Sequence, residues 1–572
     1  MPKNTRLIAA GVLCLCAVWQ GCELLEQPAA VTGPPREELP LHVAGTIGEH
    51  AVLVGGAEVA VQGYGLVIGL GNEGSSEVPP YVHKYLVKML LREKLRSWRH
   101  GTEELVPTQI LADKDTAVVL IGGAMPPGAP AGTRFDVFVS ALRQTGTRNL
   151  TGGVLMPTDM HISLRGIATP GGPSRAWAKA GGPIFVNPFI EQSDKSQDPK
   201  LREGRVVGGG LVTRSRPVYL QLRRPDYAIS QLLQRRINER FPGRDRVAVA
   251  KNRSSVEVKI PEEYTKDYEK FLRLVMHLPL RSSAGGGEAR ALQIVKAMES
   301  PEANHDELAL VWEAMGRQTI PIFSKLYVSE VPKAAFYSAR TGLRLQDYKA
   351  AEVLLKFAET EGSGLQVPAI KELGEHPKVT RSVFVLRKLV NDQNEVVRIA
   401  AYESLAKLGD RTAVIRSEVG EQFTLDVIKT SNPGVIYATQ TGTPRIVIFG
   451  HDLAVRLPVF FNMPDDLVTI NANAGDKELV VFRRLPGSSL NTPGLHVEPK
   501  VESLVELLGS QPVPDEAGNV RGLNLTYGQV VSVLYRMCKE KDIPAKFVLQ
   551  PLPQLRKIFE ETEPVEEAEA AG

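Results

Sequence analysis

Gln62–Gly71 reads QGYGLVIGLG, and two folds compete for it. Glycines at this density can build a phosphate-cradling loop between a strand and a helix. That use requires a helix to start at once and an acidic residue on the next strand. Here the glycines lie inside an apolar run, and Asn72–Ser76 (NEGSS) follows as a loop. Glycine inside a strand marks a bulge or the close approach of another backbone. The decapeptide therefore reads as a β-strand in a β-rich region, and nucleotide binding is set aside.

Outward from it, Tyr81–Leu95 has helical spacing through Leu86, Met89, Leu90 and Leu95. Thr116–Gly122 (TAVVLIG) is a short buried-strand run, and Phe135–Ser140 (FDVFVS) and Val256–Ile260 (VEVKI) alternate by twos. Asp226 is placed to cap a helix whose Ile229, Leu232, Leu233 and Ile237 share a face. Leu41 to about Pro261 thus forms one β-rich stretch punctuated by glycine and proline.

Several of these segments, in this order, resemble the flagellar P-ring protein family. GYGLVIGL with its Gly/Ser loop and helix is similar to the family's opening signature. AVVLIGGAMPP (117–127) and GTRFDVFVS (132–140) resemble a strand, a double-proline turn and a second strand. NLTGGVLM (149–156), GRVVGGG (204–210) and the strand at 256–261 continue the series. The resemblance singles out Gly63, Tyr64, Gly65, Gly69, Arg134, Asp136, Gly152 and Gly153 as structural motif positions. It implies copies assembling side by side into a periplasmic ring around the flagellar rod, with the rod and outer-ring proteins as partners and peptidoglycan as a candidate. Beyond about residue 265 the likeness stops, and the family's later cysteine pair is absent.

The remaining text changes character. A glycine cluster at Ala284–Glu288 marks a linker, and short helices follow. Arg381–Asp410 reads as a helix, an Asn391-Asp392 turn and a second helix ending at Gly409. Val396, Val397, Ala400, Ala401, Leu405 and Leu408 form its expected inner face. Asp392 and Arg398 have the spacing of ladder residues in HEAT-like repeats, which this stretch resembles. Echoes at 350–358 and 367–375 predict two or three stacked pairs, since one such unit cannot bury its face alone. Strands return at 423–428, 445–449, 454–460 and 478–482, and helices at 501–508 and 527–539. The fold class expected is α+β multidomain. Its parts are a signal peptide (1–21), a flexible linker (22–40), a P-ring-like β-rich body (41–282), HEAT-like repeats (290–412), an α/β module (413–556) and an acidic disordered tail (557–572).

Lys3 and Arg6 precede an apolar run from Leu7 to Val18, too short to span a bilayer comfortably and suited to an export signal. Gly21-Cys22 resembles a lipobox, with Trp19 and Gln20 departing from its pattern. Cys22 is read as a lipidation site anchoring the chain to the outer membrane, with plain signal-peptidase cleavage as the alternative. Cys538 is then the one cysteine left in the body, a buried structural thiol with no disulfide partner. Lys+Arg total 68 against Asp+Glu 65, a net +3, which argues against nucleic acid as a partner. Residues 202–253 are nonetheless rich in arginine, either as solvated surface or as a contact for an anionic partner. There is no H-E-x-x-H, C-x-x-C or G-x-S-x-G pattern. No catalytic residue, metal site or cofactor is expected. Two other readings stand beside the ring protein: an envelope scaffold lipoprotein outside the flagellum, with the helices as a binding platform, and a hydrolase of envelope polymers.

Overall fold

A computed structural model describes residues 39–94, 107–162, 175–189, 198–265, 267–280, 286–463, 467–484, 492–514 and 520–551. The expected signal peptide, Cys22, nearly all of the linker and the acidic tail lie outside them. After β1 (Ala51–Val54), six strands close an antiparallel barrel. They are β2 (Val59–Ile68), β3 (Ala117–Met125), β4 (Arg134–Ala141), β5 (Val154–Ile162), β6 (Ala178–Pro183) and β7 (Glu203–Val212), in the order β2-β3-β4-β7-β6-β5. Val61, Val67, Val119, Ile121, Val137, Val139, Leu155 and Val206 fill the interior. Helix α1 (Pro80–Lys94) lies outside, and its Val82, Leu86, Met89 and Leu90 pack with Leu66 and Val118. Strands β2 and β3 are therefore covered on both sides at this point, which is why their text is continuously apolar rather than alternating.

A four-stranded antiparallel sheet follows, ordered β1-β8-β10-β9, with β8 at Val218–Leu222, β9 at Ala248–Ala250 and β10 at Ser255–Val258. Helices α2 (Tyr227–Arg240) and α3 (Tyr268–His277) pack on it through Leu233, Ile237 and Phe271, joined by Phe241 just beyond α2. Asp226 caps α2 by accepting hydrogen bonds from the Ala228 and Ile229 N–H groups. Ser230, Leu233 and Ile237 are its buried residues, whereas Ile229 and Leu232 are half-buried at the margin. The outer edge of β9 is satisfied by α2 side chains. Asn238 exchanges two hydrogen bonds with Ala248, and Gln234 Oε1 accepts from the Ala250 N–H. An edge closed in this way offers no ladder to another chain.

The helical region holds α4 (Gly286–Met298), α5 (His305–Met315), α6 (Pro332–Arg344), α7 (Ala350–Glu359), α8 (Gln366–Leu373), α9 (Thr380–Leu389) and α10 (Glu395–Leu408). From α6 onward each helix packs on a near neighbour in sequence. Gly409 ends α10 with a left-handed φ of 72°. Val397, Ala400, Ala401 and Leu405 are buried as expected, but Val396 is 55% exposed. In the first turn of α10 it is Val397 and Arg398, rather than Val396, that turn inward. Arg398 does not pair with Asp392. It donates to the Pro433 carbonyl and lies 5.0 Å from the Phe449 ring centroid, buried against the following sheet.

A chain of ion pairs ties the two regions together. Arg273 on α3 contacts Asp306 (2.6 Å) and Glu307 (2.8 Å) on α5, and Lys270 contacts Glu313 (3.2 Å). Arg340 and Arg344 on α6 reach Asp306 (2.5 Å), Glu313 (3.2 Å) and Glu372 on α8 (2.7 Å). Burial alone would raise the Glu313 and Glu372 carboxyls, but the Arg344 charge outweighs it and holds both below their usual range.

The C-terminal sheet is mixed and ordered β11-β12-β14-β13-β21, from β11 (Val414–Val419), β12 (Phe423–Ile428), β13 (Gly434–Ala438), β14 (Arg445–Phe449) and β21 (Ala545–Leu549). Val435, Tyr437, Val447 and Phe449 face the helices of the middle region, while Ile436, Ala438, Ile446 and Ile448 face the other side. That second core takes in α11 (Val501–Gly509), α12 (Tyr527–Lys539) and the sheet β15-β16-β17-β18, at Val459–Asn462, Val468–Ala472, Leu479–Arg483 and Leu495–Val497. A short hairpin, β19 (Val513–Pro514) with β20 (Val520–Arg521), completes the count of described strands. The strand expected from Ala454 starts only at Val459, and Ala454 makes one isolated bridge to Lys500.

Candidate functional site

The motif positions converge on the barrel wall, and they fall into three groups. Gly63, Tyr64 and Gly65 sit on β2 where its register with β5 shifts between Gln62 and Val67. A Cβ on Gly63 would stand 2.5 Å from the Asp159 carbonyl oxygen, so only glycine admits this approach. Gly65 faces Leu155 and Thr158 in the same crowded stretch. Tyr64 is half-buried and meets the Tyr81 ring edge-on at 5.9 Å, fixing α1 against the wall. Gly69 and Gly153 lie at the strand ends, where the Gly69 N–H donates to Asp115 (3.1 Å) and Gly153 packs among Val67 and Leu70.

The second group is Arg134 and Asp136 on β4. Their partners include a segment that the resemblance did not reach. Asp136 Oδ1 accepts from the Gly208 N–H at 2.7 Å and from the Gly442 N–H at 3.1 Å. Gly442 belongs to the β13–β14 turn of the C-terminal sheet. Arg205, 6% exposed, stands 3.7 Å from Asp136 and donates to the Gln440 carbonyl at 3.2 Å. Its guanidinium also lies 4.4 Å over the Phe138 ring. Burial lowers its pKa and the Asp136 charge opposes that shift, so the pair is mutually dependent. Arg134 Nη1 donates to the Gly208 carbonyl at 3.2 Å. Gly208 has φ 61°, and a Cβ there would meet the Gly442 oxygen at 2.6 Å.

Apolar contacts extend this joint along the barrel. Phe185, just after β6, is buried in the C-terminal core against Tyr527 (ring centroids 5.7 Å apart). Gly152, the third motif group, has φ 80° and lies against the Gln529 side chain of α12. Beyond the turn, Gln550 Oε1 accepts from the backbone of Gln440 and Thr441. Motif residues chosen for the barrel thus also form the seat of the C-terminal sheet. Arg205, Gly208, Phe185 and the turn 440–442 were not singled out by sequence. The signal was there for one of them: an arginine inside the apolar, glycine-rich GRVVGGG strand needs a buried partner.

Cys538 is half-buried, with its thiol pushed up to about 12 by burial. This leaves it protonated and a poor nucleophile at neutral pH. Among the described residues no group of His, Cys, Asp and Glu has the makings of a metal site. No helix among them is long and apolar enough to cross a membrane. The polar groups of the seat are engaged in holding one backbone segment to another.

Residues 47–286, the barrel with its four-stranded sheet, match the family described as flagellar P-ring protein. The match lies in the N-terminal half of the chain and ends where the helical region begins. Relatives carrying the name "Flagellar P-ring protein" include one from Geobacter metallireducens, 28% identical over 232 residues (39% of this chain, 58% of the relative). One from Anaeromyxobacter sp. is 30% identical over 233 residues (39% and 57%). One from Oleidesulfovibrio alaskensis is 25% identical over 337 residues (57% and 84%). The chain spans under two thirds of the first two.

Proposed function

We propose that this chain is a non-enzymatic structural component of the bacterial flagellar basal body that forms, or contributes to, the periplasmic P-ring around the rod. The observation that carries the reading is the family match over residues 47–286, the region that folds into the barrel and the sheet beside it. Copies would associate head to tail and close by rotation into a ring, with rod and outer-ring proteins and peptidoglycan as neighbours. Export by the signal at 1–21 and acylation of Cys22 would tether each copy to the outer membrane through the linker 22–40. The helices between 290 and 412 act as a HEAT-like array, and 413–556 as a second unit braced on the barrel through Asp136 and Arg205. Gly63, Tyr64, Gly65, Gly69, Arg134, Asp136, Gly152 and Gly153 serve as structural positions of the body. An envelope scaffold outside the flagellum is the weaker reading, because the relatives' shared name supplies nothing for it.

Deleting the gene tests the function. The expected outcome is loss of swimming and of the basal body's periplasmic ring in electron micrographs, restored by the gene in trans. A complete ring in the deletion strain would overturn it. Labelled palmitate entering the wild-type chain and not Cys22→Ala is the outcome expected for the anchor.

A further inference from the structure

We propose that the arginine-lined groove on the outer face of α2 is the docking site of the chain's own acidic C-terminal segment, Glu560–Glu569. The groove encloses about 570 Å³ and is lined by residues including Gln231, Leu232, Arg235, Asn238, Glu239 and Arg246. Arg223 and Arg224 precede the Asp226 cap, and the Arg253 carbonyl accepts the Asp226 N–H, so three more arginines stand at the amino end of α2. Arg244 lies in the exposed loop at the other end. All of these arginines are exposed. None of their side chains makes an ion pair or hydrogen bond among the described residues.

Other arginines of the same stretch are engaged. Arg216 donates to the Ala57 carbonyl, Arg240 to the Ala314 and Glu313 carbonyls, and Arg214 stacks on Trp177. The local carboxylates do not balance the surplus. Glu239 is taken by Arg236 at 3.0 Å, Glu257 by Lys251 at 2.5 Å, and Asp226 caps the helix. Asp245 is the remaining acid in the loop. A surface with this excess of unpaired cations calls for an anionic occupant.

The chain carries one that matches in charge. Glu560, Glu561, Glu563, Glu566, Glu567 and Glu569 follow one another with no Lys or Arg after Lys557. Where the chain leaves the described body also suits the contact. Gln550 is held on the 440–441 turn beside Asp136, and the barrel strand β7 there leads directly into β8, on whose sheet α2 packs. From Pro551, the nine residues to Glu560 span up to about 30 Å when extended. One exposed pair contributes little, roughly 0–1 kcal/mol, so the contact depends on several pairs acting together and weakens with salt.

The test uses the chain without residues 557–572, which removes no described element, and a fluorescent peptide of those residues. The truncated chain is expected to bind the peptide at about 50 mM salt and to lose it at about 300 mM. Arg235→Glu with Arg246→Glu should weaken binding at least ~10-fold. Thermal unfolding should stay unchanged, since both side chains are exposed. The full chain should bind the peptide at least ~10-fold more weakly than the truncated one, its groove being filled. Absence of binding to the truncated chain, or equal binding by the double variant, would overturn the proposal. Equal binding by the full chain would overturn it too, leaving the groove to an anionic partner outside the chain.

Discussion

Asp136 sets the behaviour of the joint between barrel and C-terminal sheet. Its carboxylate holds N–H groups from two distant segments, Gly208 and Gly442, and stands by a buried arginine. Asp136→Ala leaves those donors without their carboxylate acceptor and the buried Arg205 without its counter-charge, an expected loss of about 2–4 kcal/mol in chemical unfolding. Asp136→Asn keeps one acceptor oxygen and should lose distinctly less. Gly208→Ala is a second residue-scale prediction. It combines a left-handed φ with a 2.6 Å clash against Gly442. It should therefore lower the melting temperature more than Gly71→Ala, where φ is 63° but no atom stands within 4 Å.

At the scale of elements, the ion-pair chain across α3, α5, α6 and α8 predicts a pH response. The Glu372 and Glu313 carboxyls are held below their unfolded values. Their contribution is therefore fully present above an unfolded glutamate pKa of about 4.3, and it is lost as pH falls through the folded values. Melting temperature should drop on acidification below about pH 5. Arg344→Met removes the charge that depresses both groups, so the variant should be less stable at pH 7. Its further loss on acidification should be shallower than that of the wild type. Equal slopes would show that other carboxylates dominate. Element type was legible in the text wherever one period ruled. The α12 bounds agree with the sequence reading at both ends, and α2 begins at its expected cap. Phase was less legible. Val396 reads as core by spacing, yet the sheet that buries Val397 and Arg398 is assembled from residues after 413.

For the whole molecule, the contacts that couple the barrel to the C-terminal core include the Asp136 seat, Phe185 in that core, and Gln529 against Gly152. Phe185→Ala leaves a cavity between the two bodies and should cost about 3–5 kcal/mol. Calorimetry is the check. The variant is expected to unfold in a broader or split transition, as the C-terminal sheet loosens from the barrel before either melts. An unchanged single transition would mean the contacts other than Phe185 carry the coupling. The sequence by itself determined the strand reading of QGYGLVIGLG, the likeness of its first half to the P-ring family, and the positions of most helices and strands. These depend on local periodicity, caps and glycine spacing, all of which are written in neighbouring residues. Only the tertiary structure decided what Asp136, Arg205 and Phe185 hold. Their partners lie hundreds of positions away, at 440–442 and 527, and a pairing across such a distance leaves no period in the chain. Closure of six strands into a barrel, and the sharing of one sheet between helices on opposite faces, were settled there for the same reason.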